Sequence, residues 1–327
     1  MTEPLPLSLA DIEAARARLA GVATRTPLLP ATDLGASLGA RVFVKAECLQ
    51  RTGSFKFRGA YNRVSMIADA DRVRGVVACS SGNHAQGVAA AAALYGVPAT
   101  IVMPRDAPAT KIARTRRLGA DLVLYDRETD DREAIANAIA ARNGATFIHP
   151  YDDPGVMAGQ GTVGLEVIDD LAALGLVPDI VLVPASGGGL TAGVSVAIHS
   201  AAPQAAIATC EPAGFDDHAR SLAAGTRQKN PAVTGSVCDA LMAQTPGRIT
   251  FAVNSRHLSG GHALGDDEAL AAVAYAAREL KIVVEPGGAV GLAALLCGRV
   301  DAAGKTVVIV ASGGNIDDHV LAQALQD

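Results

Sequence analysis

The chain has 327 residues, 50% of them hydrophobic, 19% charged and 3% aromatic, with a formal net charge of −5. That length and apolar content supply a core large enough for two domains and exclude a disordered or low-complexity polymer. The acidic balance leaves no basic face for nucleic acid.

In chain order, residues 1–9 are polar, acidic and proline-containing, unlike a signal peptide. Branched, strand-like runs follow at 42–45, 75–79, 100–103, 121–124, 180–183, 206–209 and 306–310. Ala-rich helical patterns lie between them, notably 85–95, 132–141, 267–280 and 289–296. The alternation predicts an α/β fold with open, mainly parallel sheets flanked by helices. The longest apolar stretch, 88–103, is broken by Gly96 and Pro98, so it reads as a helix followed by a buried strand and no membrane span is expected. Cys48, Cys79, Cys210, Cys238 and Cys297 are scattered without a C-x-x-C pair, as expected for reduced thiols in a cytoplasmic protein.

Within residues 52–60, Lys56 stands between Phe55 and Phe57 among small residues. An ammonium in apolar surroundings has its charged form disfavoured, which frees the amine to attack a carbonyl. A snorkelling lysine beside a turn fits this nonamer equally well. Three apolar strands then each run into a Ser-Gly turn: Cys79-Ser80-Ser81-Gly82-Asn83, Ala185-Ser186-Gly187-Gly188-Gly189 and Ala311-Ser312-Gly313-Gly314-Asn315. In an open parallel sheet the carboxyl ends of the strands share one edge, so the three turns can converge. The middle turn opens a helix at Leu190, whose free N–H groups and positive dipole end suit a phosphate. A dinucleotide reading competes, because Gly187-x-Gly189-x-x-Ala192 is followed about 20 residues later by Glu211 in a ribose-binding position. Gly304-Lys305-Thr306 fails as a P-loop, since Arg299 occupies the place of its required glycine. The seven histidines show no metal-ligand spacing and are expected mostly at the surface or in turns, and Cys79 is expected to be a small core residue.

A reactive lysine, a phosphate cradle and two polar turns describe a pocket for a phosphorylated aldehyde. The chain resembles the fold-type II pyridoxal-phosphate family of serine and threonine dehydratases and serine racemase. The resemblance is carried by residues 53–60, 80–87, 158–162, 285–289 and 312–315, in family order over nearly the whole chain. It implies a large domain of residues 1–50 and 152–327, a smaller one of 51–151, and the cofactor in the cleft between them. Lys56 is implied to form a Schiff base with pyridoxal phosphate and then to remove the substrate α-proton. Phe55, Asn83, Glu285 and Ser312 are implied around the cofactor ring, with Ser312 as a neutral partner of the ring nitrogen. Ser186, Gly187, Gly188, Gly189 and Leu190 are implied around its phosphate. Ser80, Ser81, Gly82, Asn83 and His84 form the implied carboxylate cradle, and Ser81 is a proton donor on the face opposite Lys56 in racemase-like members. Glu211, Phe215 and Asp217 match a divalent-cation site for Mg2+ or a similar ion, so that Glu211 serves two competing readings. Arg132 matches an arginine that meets a second ligand carboxylate.

The implied activity is an ammonia-lyase turning serine, threonine or a related β-hydroxy amino acid into a 2-oxo acid and ammonia. Serine racemase and 3-hydroxyaspartate dehydratase are the runners-up, and a homodimer is expected. The chain departs from the family at Ser186, at Ala240 of Asp239-Ala240-Leu241 and at Tyr151, each beside the implied cofactor. Nothing after the last helix resembles a regulatory domain, so feedback by isoleucine is not expected.

Overall fold

The computed structural model describes residues 5–80, 82–107, 109–126 and 128–326. Its strands are β1 (Leu28–Pro30), β2 (Arg41–Lys45), β3 (Val76–Cys79), β4 (Ala99–Pro104), β5 (Asp121–Tyr125), β6 (Thr146–Phe147), β7 (Ile180–Pro184), β8 (Ala206–Pro212), β9 (Gly260–Leu264) and β10 (Thr306–Val310). They form a six-stranded sheet in the order β1-β2-β10-β7-β8-β9 and a four-stranded sheet in the order β5-β4-β3-β6. Every ladder is parallel except that of β1 on β2. All seven anticipated strands are present. The three not anticipated lack a readable signal: β1 and β6 have three and two residues, and β9 carries two glycines and a histidine but no β-branched residue.

Strands β7 and β10 are buried along their whole length, because helices cover both faces of the large sheet. One covering layer includes the helix Pro286–Leu296, and the other includes Gly189–Ala201 and Pro154–Ala173. A separate core under the small sheet gathers Phe57, Val64, Val88, Ile101 and Met103. Fully burying one such side chain contributes about 2 kcal/mol. The helix Pro154–Ala173 starts where Asp153 accepts the amide of Val156 and proline occupies the first turn. It touches both units, through close glycine contacts. A methyl group at Gly193 would stand 2.5 Å from Gly161 N, and one at Gly159 would stand 2.6 Å from Arg58 O. Among the described residues no helix is long and apolar enough to cross a membrane.

Candidate active site

The carboxyl ends of β3, β7 and β10 open onto one cavity of about 180 Å³ lined by residues of all three Ser-Gly turns. Lys56 enters it from the first turn of the helix Lys56–Ser65. The chain arriving there is pinned to the third turn: Phe55 N donates to Ser312 O at 3.1 Å, and Ser54 bridges to Gly313. The Lys56 ammonium donates to Pro150 O at 2.8 Å and lies 5.1 Å from the Phe55 ring centre. Loss of hydration lowers its pKa to about 8, against the opposing pull of Glu285. One expectation is corrected: Phe57 does not flank the amine. Successive residues of a helix diverge by about 100°, and Phe57 turns into the small-sheet core, fully buried against Tyr61.

Asn83 opens the helix Asn83–Leu94 and joins the turns by its side chain. Its Nδ2 donates to Glu285 Oε1 at 2.6 Å, and its Oδ1 accepts from Asn315 Nδ2 at 2.7 Å. Burial, with Asp239 nearby, pushes the Glu285 carboxyl up to about 7. Ser80, Gly82, Asn83 and His84 line the cavity, and Ser81 lies outside the described residues. His84 is buried and neutral: desolvation, helped by the Lys56 charge, lowers its pKa to about 3, while Nε2 faces Ile148 O at 3.0 Å. A neutral His84 brings no positive charge to this end of the cavity. The Cys79 thiol, pushed up to about 11 by burial, is no nucleophile.

The glycine turn is shaped from behind. Gly188 caps the helix Gly189–Ala201 at φ 90°, and a methyl group on Gly187 would strike the Tyr151 ring at 2.3 Å. Gly187 O accepts from Thr250 Oγ1 at 2.6 Å, and Gly188 O accepts from Asn254 Nδ2 at 3.2 Å. Ser186, in the place of a glycine, keeps negative φ and uses its hydroxyl to accept Ala243 N at 3.0 Å. His218 lies beneath the turn with Nδ1 3.1 Å from Ser186 O and Nε2 2.8 Å from Asn254 Nδ2. Since the amide donates to Nε2, the proton sits on Nδ1. Burial lowers this imidazole to about 4, so it is neutral and adds no charge beside the turn. The expectation that the histidines lie at the surface fails for His84 and His218, both buried.

Glu211 is fully buried on β8, and its oxygens accept the amides of His218 and Ala219 at 2.9 Å. It cannot reach a ribose, so the dinucleotide reading falls. Asp217 and Phe215 are buried nearby. Arg132 begins the helix Arg132–Asn143 and lies exposed at the mouth of the cavity. One cavity cation escaped the sequence reading. Lys111 reaches from the small unit to Asp239 at 2.6 Å and Asp317 at 3.6 Å on the large one.

An amine with lowered pKa lines the same cavity as a glycine turn whose amides have no acceptor among the described residues and which has no room for side chains. These features fit a phosphorylated aldehyde, and with two mainly parallel sheets around the cavity they define a fold-type II pyridoxal-phosphate enzyme. A family model described as "Pyridoxal-phosphate dependent enzyme" matches residues 19–313, and the chain belongs to that family. It is 42% identical to the L-threonine ammonia-lyase of Thermotoga maritima over 96% of this chain and 77% of that one. It is also 42% identical to an L-threo-3-hydroxyaspartate ammonia-lyase of a Pseudomonas species, over 97% and 98% of the two chains. The solved structure of maize serine racemase superposes with a TM-score of 0.91 at 36% identity, covering 98% of this chain and 97% of that one.

Proposed function

We propose that the protein is a pyridoxal-phosphate-dependent ammonia-lyase that converts a β-hydroxy amino acid, L-threonine or L-serine, into a 2-oxo acid and ammonia. The observation that carries this reading is the Lys56 amine, lowered to about 8 and facing the glycine turn across one cavity. When bound, pyridoxal phosphate supplies the electron sink that lets the α-proton leave. The rest is work for the chain. Gly187, Gly188, Gly189 and Leu190 hold the phosphate by backbone N–H groups. The start of the Asn83–Leu94 helix binds the substrate carboxylate. Lys56 takes the α-proton, and its ammonium stands ready to protonate the departing β-hydroxyl as water. Ser312, on the cavity wall, would offer a bound pyridine ring a neutral hydroxyl instead of a carboxylate, which would favour prompt β-elimination. The enamine that leaves hydrolyses to the 2-oxo acid and ammonia.

A second reading, 3-hydroxyaspartate as substrate, is favoured by Arg132 at the cavity mouth, where no described carboxylate forms an ion pair with it. Ammonia and 2-oxo acid released from L-threonine, L-serine and both configurations of 3-hydroxyaspartate separate the two. If the hydroxyaspartate reading is right, Arg132→Ala raises KM about 10²-fold for the diacid alone, the loss of one charge-assisted contact. Equal effects on all substrates dismiss it. A holoprotein that releases oxo acid from none of them defeats the lyase reading and leaves racemisation through Ser81 as the expected activity.

We also propose a divalent cation, Mg2+ or similar, at Glu211, Asp217 and the Phe215 carbonyl. Support comes from Asp217 Oδ2, a buried oxygen without a partner among the described residues. Burial raises both carboxyls, Asp217 to about 7, and the charge of Asp217 raises Glu211 further. A cation relieves both costs. Millimolar Mg2+ or Ca2+ should raise the melting midpoint by several degrees in the parent protein and leave Asp217→Asn unmoved; no shift in the parent removes the site.

A further inference from the structure

Two residues beyond Lys56 on the same helix, Arg58 is fully buried and every N–H of its guanidinium is engaged. Nε and Nη2 donate to the two oxygens of Glu47 at 2.8 Å each. Nη1 and Nη2 donate to the two oxygens of Glu166 at 2.7 and 2.9 Å. Nη1 also reaches Thr162 Oγ1 at 3.2 Å, and Nη2 reaches Thr24 O at 3.2 Å. Lys45, equally buried, donates to Glu166 and to Thr26 O at 2.6 Å each. The Thr26 hydroxyl closes the ring on Glu47. Two buried cations thus face the carboxylates of Glu47 and Glu166, with Asp170 3.8 Å from Lys45, and none of these side chains lines the cavity that Lys56 enters.

Such a cluster adds little net stability, since exchanging a buried ion pair for apolar groups of like volume is often neutral or stabilising. What it supplies is direction, because a forked guanidinium fixes the planes of both its partners. The direction matters at this point of the chain. Residues two apart on a helix project about 200° from each other, so Arg58 faces away from the cavity that Lys56 enters. Upstream, Phe55 and Ser54 tie the turn to Ser312 and Gly313. Downstream, Arg58 ties it to Glu47, beside the end of β2, and to Glu166 on the long helix, while Gly59 N donates to Gln160 Oε1 at 3.1 Å. Lys56 sits between these two anchorages.

We infer that Arg58 is a positioning residue for the Lys56 amine, acting through its paired clamps on Glu47 and Glu166. The inference rests on reading Lys56 as the base that carries the cofactor. Lysine at position 58 keeps the charge but offers a single mobile point donor. Two variants test the clamp: R58K, and the double variant E47Q/R58M, which removes one charge of each sign and leaves Lys45 paired with Glu166. In the double variant kcat should fall about 10²-fold, the cost of misplacing a reacting group by about an ångström, with KM within about threefold. The visible circular dichroism of the bound cofactor should weaken. The pH midpoint for cofactor uptake by apoprotein should shift from that of the parent measured alongside. R58K should lie between the parent and the double variant. Folded variants that melt lower, yet keep the parent kcat, dichroism and pH midpoint, would overturn the inference and leave Arg58 a purely structural residue. If the double variant does not fold, R58K decides by the same criteria. A parent chain that takes up no pyridoxal phosphate defeats the reading of Lys56 and is thereby told apart from failure of the clamp.

Discussion

Lys56→Ala leaves a protein that folds, still holds the phosphate of added pyridoxal phosphate, and forms no yellow species that borohydride can fix. Its kcat falls about 10⁴-fold, the upper end for loss of a positioned general base. The alanine removes one ammonium and its bond to Pro150 O, and Phe57, Arg58 and Gly59 keep the helix start in place. Stability should therefore change by no more than about 1 kcal/mol. The parent amine has a matching pH signature. A lysine with its pKa lowered to about 8 is protonated below that pH and free above it. Cofactor uptake by apoprotein, followed at the visible band, should accelerate about 50-fold from pH 6 to pH 8 and then level off, since the free-amine fraction rises from about 1% to about one half. Uptake still climbing steeply at pH 10 would mean an amine of ordinary pKa, and desolvation would have no part in its activation. A borohydride-fixed yellow species in Lys56→Ala would move the Schiff base to another lysine.

How much of this was readable beforehand follows from the range of each interaction. Strands of four or more residues that include β-branched side chains are legible, and so are the three Ser-Gly turns, because strand, turn and helix start are contiguous in the chain. The direction of Phe57 is not legible in residues 55–57, because it depends on the register of a helix that begins only at Lys56. The environment of the glycine turn was invisible for another reason. Tyr151, His218 and Asn254 come from three distant segments, and only the folded sheet brings them under Gly187 and Gly188. The same holds for the Lys111 to Asp239 pair, 128 residues apart, and for the Arg58 to Glu166 clamp, 108 apart. Local pattern reports which residues meet along one element. Pairings across elements, which here decide the charge state and geometry of the site, leave no trace at that scale.

The glycine turn is the second place where one methyl group should have a large effect. Gly188→Ala adds a Cβ at φ 90°, 2.3 Å from His218 Cε1 and 2.7 Å from Asn254 Nδ2. Left-handed backbone costs a non-glycine residue about 1–2 kcal/mol, and overpacking against a fixed imidazole costs about 1–3 kcal/mol. The loop escapes both costs by relaxing to another shape, and its amides then point away from the phosphate. The strain is restored only when the phosphate forces the original shape, so it is charged to binding more than to folding. About 3 kcal/mol corresponds to a Kd for pyridoxal phosphate raised about 10²-fold, measured by titrating apoprotein at the visible band. Gly225→Ala supplies the control: φ is 67° there too, but nothing lies within 4 Å of the added methyl group. It should lower the melting midpoint by a few degrees and leave cofactor affinity unchanged. Equal losses of affinity in the two variants would mean that general destabilisation, and not the shape of the turn, governs cofactor binding.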